Sequence, residues 1–101
     1  MAIHGNSHKN EKPHHLYKIG DRQEDDILKY GISDKPIGED GLSLRIRVQL
    51  KQLNLGAGWL RYFGEVLIRG IQGRIKAKQI EQEFIDTYAR KHGRKPRGNS
   101  E

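Results

Sequence analysis

The sequence predicts an α+β domain in which a small three-stranded antiparallel sheet is flanked by helices. Two short runs rich in β-type residues, 16–20 and 27–33, are separated by a charged connector and read as a hairpin. A third β-rich run, with three aromatic residues, spans 59–71. Residues 73–93 carry apolar side chains at helical spacing. With 101 residues, of which 34% are apolar and 32% charged, the chain supports one modest core and a single domain over 15–99.

Residues 1–14 are polar, rich in Asn, His and Lys and broken by Pro13, and are expected to form a flexible arm. Leu16, Tyr17 and Ile19 suit a first strand, and 27–33 a second. The connector 21–26 offers nothing apolar to bury and reads as a solvated link, and its Glu24–Asp25–Asp26 run lacks the spacing of a calcium loop. Residues 34–41 are a loop by their Pro, Gly and Asp content. Over 42–54 two periods compete. Leu42, Leu44, Ile46, Val48 and Leu50 alternate as in a strand, while Leu42, Ile46, Leu50 and Leu53 fall at helical spacing; on pattern alone the strand is favoured. Residues 55–58 break the chain, and 59–71 are expected to be a central strand.

The stretch 73–93 is the clearest helix. Ile75, Ile80, Phe84 and Tyr88 lie near one stripe and Ala77, Glu81 and Ile85 on another, with Gly93 ending it after Lys91 and His92. Glu81 is the residue hardest to explain by packing, because burying an unpaired carboxylate on an apolar stripe is costly. Residues 94–101 read as an extended basic tail.

The bulk chemistry narrows function. A net charge of +6 and a pI near 9.7 point to an anionic partner, nucleic acid first. Zero cysteines exclude a disulfide framework and a thiolate zinc site. No apolar run is long enough for a membrane span, and the N-terminal residues contain no apolar signal core. His4, His8, His14 and His15 have no metal-ligand spacing and are assigned to the polar arm.

The runs "LYKI" and "KYGIS", an arginine followed four residues later by glutamine, "GRIKA", a helix glutamate and the closing "PRGN" together resemble the GIY-YIG nuclease superfamily, in particular its toxin-type members. The likeness runs from about Leu16 to Asn99. It departs from the family pattern where His15 precedes the first motif and where Lys29 takes the place of the second motif's tyrosine, with Tyr30 one residue later.

The resemblance implies a metal-dependent endonuclease acting on DNA before RNA, using magnesium or another divalent cation such as manganese. Tyr17 would orient or deprotonate the attacking water, with Lys29 or Tyr30 assisting. Strand alternation puts Lys29 and Gly31 on one face and Tyr30 with Leu28 and Ile32 on the other, unless a bulge intervenes. Arg45 would clamp the phosphate, with Gln49 as a polar helper and Arg47 as the competing arginine. Glu81 would hold the metal, and Asn99 would support the site. Arg94, Lys95 and Arg97 would touch the phosphate backbone. The toxin-type likeness further implies an effector acting in the cytoplasm of a target bacterium, delivered by a secretion system, with an immunity protein in its producer. Two other readings remain at this point: a non-catalytic basic nucleic-acid-binding module, and an interaction domain for an acidic protein.

Overall fold

The structure, a computed structural model, describes residues 11–99; the greater part of the proposed arm, with His4 and His8, lies outside them. Three antiparallel strands, β1 (Pro13–Asp21), β2 (Asp26–Ser33) and β3 (Tyr62–Gln72), lie in the order β2-β1-β3. Two helices, α1 (Leu44–Ala57) and α2 (Arg74–His92), cover the sheet, and a short 3-10 turn (Arg97–Asn99) follows. The expected α+β class and three-stranded antiparallel sheet are therefore present.

Consecutive residues of β1 face opposite ways, which divides the core into two halves. Tyr17 and Ile19 pack with Ile46 of α1, joined by Leu42, Leu50 and Leu53. Leu16 packs with Ile71 and Ala77 on the α2 side, next to a cluster of Tyr30, Ile85 and Tyr88. The sheet is thus a single layer between two helices. Leu16, Tyr17 and Ile19 are fully buried, as befits the middle strand.

Several expectations are corrected. Residues 42–54 do not form a strand: α1 is a helix, ended by Gly58 in the left-handed region at φ 84°. The helical set Leu42, Ile46, Leu50 and Leu53 covers the Tyr17 face, whereas Leu44 and Val48, which a strand would have buried, are 59% and 45% exposed. A sheet apolar on both faces needs two covers, and that requirement decides between the two periods. β3 lies at an edge, starts only at Tyr62, and leaves Trp59 and Leu60 exposed before it. Ile75 on α2 is exposed rather than part of the packed stripe. β1 starts at Pro13, so His14 and His15 are buried sheet residues, not members of an arm.

A bulge lies within β2. Ile19 pairs with Lys29 and Gly20 with Ile27, leaving Leu28 without a partner across the strand. Leu28 turns to the α1 side, while Tyr30 and Ile32 keep the α2 side. The alternation predicted for Lys29, Tyr30 and Gly31 holds, and only Leu28 changes face.

The connector and the tail are joined by buried charge, contrary to the expectation of a solvated link and an extended basic tail. Asp21 is 1% exposed and accepts two hydrogen bonds from Arg61, one from Arg97, and one each from the backbone N–H groups of Gln23 and Glu24. The Arg61 guanidinium, with Arg97 and the two N–H groups, holds its carboxyl well below the usual carboxylate range. Asp26 accepts from the Tyr88 hydroxyl and from Arg94, which lower its pKa to about 2. Arg94 and Arg97 thus hold the tail to the hairpin, with their side chains still 49% and 40% exposed; Lys95 is exposed.

These depressed values fix the sign of the acid response. Between the folded and unfolded pKa the unfolded chain binds more protons, so stability rises with pH there. The contribution of Asp26 is full above about pH 4, the ordinary aspartate value. It is lost as pH falls through about 2. The urea midpoint should fall steeply over that window, and Asp26→Asn should flatten the fall. An unchanged slope in the variant would show that Asp26 is not its source.

Candidate active site

A cleft of about 410 Å³ runs past the free edge of β2 and takes residues from both helical layers. Tyr17 on β1 lies opposite Gly31 on β2, and a Cβ at Gly31 would collide with the Tyr17 hydroxyl. Glycine is thus required for the otherwise buried phenol to reach the cleft.

The Tyr17 oxygen accepts a hydrogen bond from Gln49 Nε2 at 2.7 Å, and Gln49 Oε1 accepts one from Lys29 Nζ at 3.1 Å. An ammonium can only donate, so Lys29 fixes which way the Gln49 amide points. The amide nitrogen must then face Tyr17. The phenolic proton is left free to point toward whatever the cleft holds.

Arg45 stands in the first turn of α1, exposed and on the cleft. Arg47, two residues on, is turned away by the helix. It donates to Asp40 Oδ1 at 2.9 Å and to the Leu42 carbonyl at 3.0 Å, and borders a separate apolar groove with Trp59 and Leu60. It is not among the residues that line the cleft.

Glu81 lines the cleft from α2, on the stripe between buried Ala77 and Ile85. Its side chain is 13% exposed and receives Lys78 Nζ at 3.0 Å. Asn99 acts on the edge of β2: its Oδ1 accepts from the Tyr30 N–H at 2.9 Å and its Nδ2 donates to the Tyr30 carbonyl at 3.0 Å. One amide thereby satisfies the backbone groups that a fourth strand would have paired. Tyr30 also borders the cleft, but its ring meets Phe84 edge-on at 5.5 Å, and burial pushes its phenol pKa up. Of the two residues competing for the second motif, Lys29 shares the Tyr17 face.

Tyr17, Lys29, Arg45, Glu81 and Asn99 are thus brought to one cleft, with Gln49 behind Tyr17. Sequence reasoning missed His14, Lys35, Arg74 and Lys78, which line it too. The helical ones were findable: Arg74 and Lys78 precede Glu81 by seven and three residues on the same helix face. Lys29, Lys35, Arg45, Arg74 and Lys78 stand against the carboxylates of Asp34 and Glu81, so the cleft favours an anion.

Among the described residues no cluster of three or more His, Cys, Asp or Glu side chains forms a metal cage. A single oxygen donor in a water-accessible cleft fits a hard cation such as magnesium, which keeps most of its waters. It does not fit a soft or fully protein-ligated ion.

A family model covers most of the chain, and its match makes the chain a toxin domain. More narrowly, the chain belongs to the family described as URI fold toxin 2, matched over residues 7–93. No curated protein and no solved structure matched the chain. Among the described residues no helix is long and apolar enough to cross a membrane.

Proposed function

We propose that this toxin domain is an endonuclease of the GIY-YIG type that hydrolyses phosphodiester bonds, of DNA before RNA. The observation that supports this most is the meeting of Tyr17, Arg45 and Glu81 in one cation-lined cleft, from three different elements.

Arg45 presents a planar fork that can hold two phosphate oxygens and offset the charge gathering on the phosphorus centre. Tyr17 directs its hydroxyl proton into the cleft and orients the attacking water, held in place by Gln49 and Lys29. Lys29, Arg74 and Lys78 add positive potential around the bound strand. Asn99 keeps the β2 edge, and so Gly31 and Lys29, in register. Glu81 would hold a magnesium or manganese ion, which when bound supplies Lewis acidity to the phosphate and stabilises the leaving oxygen. As a toxin nuclease it would act in the cytoplasm of a target bacterium after delivery by a secretion system, and its producer would carry an immunity protein.

One observation favours a second reading. The ion pair from Lys78 to Glu81 is what a non-catalytic nucleic-acid-binding module would show, with the carboxylate neutralised by its own helix. Incubating supercoiled plasmid with the protein in magnesium, or in EDTA, separates the two. The nuclease reading expects nicking and linearisation in magnesium and none in EDTA. Salt-sensitive binding without cleavage in either condition would establish the binding module instead.

A further inference from the structure

We propose that His14 is the residue of the cleft that accepts the proton from the attacking water, a step that deepens the phosphodiesterase reading above and rests on it. His14 is the second residue of β1, is 3% exposed, and lines the cleft. Its Nδ1 lies 2.7 Å from the Lys12 carbonyl oxygen. A carbonyl only accepts, so Nδ1 carries the hydrogen, and in the neutral ring the lone pair sits on Nε2. That nitrogen has no hydrogen-bond partner among the described residues. No fully buried side-chain nitrogen or oxygen there lacks one, so Nε2 opens to the cleft rather than to the core. A histidine serving only the core would have both nitrogens satisfied. Its neighbour His15 also has one bonded nitrogen, Nε2 3.2 Å from Ser43 Oγ, but it does not line the cleft.

The charged groups that line the cleft with His14 are Arg74, Lys78 and Glu81 from α2, Lys29 from β2, Asp34 and Lys35 beyond it, and Arg45 from α1, with His15 next to it in sequence. Tyr17 already accepts from Gln49 and offers a proton; His14 offers a lone pair. By strand alternation His14 shares the Leu16 side of β1 and Tyr17 the other, so the two reach the cleft from opposite faces of the sheet. In the step, the water oxygen bonds to phosphorus while its proton passes to His14 Nε2. The ester P–O bond breaks with its electron pair on the leaving oxygen, which takes a proton from solvent. The imidazolium then returns its proton to solvent.

The test is the pH profile of single-turnover DNA cleavage in magnesium. The wild type should lose activity on the acid side, since a proton acceptor must be unprotonated to work. His14→Gln should lose that limb and about 10²–10⁴-fold in rate. Tyr17→Phe should lose rate but keep the limb. Added imidazole should partly restore a folded His14→Ala, as no purely structural role allows. A His14→Gln enzyme with the wild-type rate and limb overturns the proposal while leaving the nuclease reading intact; a wild type that never cleaves overturns both. Should the variants not fold, ¹⁵N NMR of the wild type decides separately. The proposal requires hydrogen on Nδ1 and none on Nε2 at neutral to mildly alkaline pH, and the opposite tautomer overturns it.

Discussion

Glu81→Gln should abolish magnesium-dependent cleavage, by about 10³-fold or more, with little change in folding or DNA binding. The substitution keeps the shape of the side chain and removes only the charge. Its structural cost is one ion pair to Lys78, whose own side chain is 55% exposed. Such pairs contribute less than about 1 kcal/mol, so melting should shift by no more than roughly 8 °C. Binding to a DNA duplex should hold or tighten, because a negative charge leaves a basic cleft. Cleavage rate, melting temperature and binding constant measured on one preparation give the answer. Loss of binding and cleavage together would mark Glu81 as a structural residue, and unchanged cleavage would remove it from the chemistry.

Asp21→Ala should have the largest effect on stability. The carboxylate is completely buried, and losing it leaves Arg61, Arg97 and two backbone N–H groups without their acceptor. Breaking a buried ion pair from one side costs about 3–5 kcal/mol, a large share of the roughly 5–15 kcal/mol that holds a domain of this size together. The melting temperature should drop by more than about 12 °C. Cleavage should fall as well at temperatures where the domain stays folded. Release of Arg97 loosens the 3-10 turn that carries Asn99, and with it the edge of β2. Asp21→Asn, which keeps acceptors for the backbone, should lose less. A drop below about 1 kcal/mol in Asp21→Ala would mean that Arg61 and Arg97 rehydrate freely and the tail is not anchored there.

What the sequence shows and hides follows from these contacts. α2 was legible because its apolar spacing, its Gly93 stop and the misplaced carboxylate of Glu81 are all local. The hairpin was legible for the same reason. α1 was not, since its strand-like alternation is cancelled only by the need to cover the Tyr17 face of the sheet. The tail misled because Arg94 and Arg97 find their partners 68 and 76 residues away, beyond any spacing rule. His14 was lost to the arm by composition, since a polar histidine beside a proline carries no strand signal until β3 lies alongside it. In the second motif, Lys29 and Tyr30 were separable by alternation alone because the bulge falls one residue earlier, at Leu28.

The central claim is that the cleft past the β2 edge is where a phosphodiester is cut. Two arginines of one helix test it: Arg45 lines that cleft, and Arg47, two residues on, borders a different groove. The decisive measurement is the single-turnover cleavage rate of Arg45→Ala beside Arg47→Ala in magnesium. The geometry predicts a loss of about 10²–10³-fold for the first. It predicts a rate within about twofold of wild type for the second, a surface change. Equal losses, or an Arg45→Ala enzyme as fast as the wild type, would contradict the assignment of this cleft.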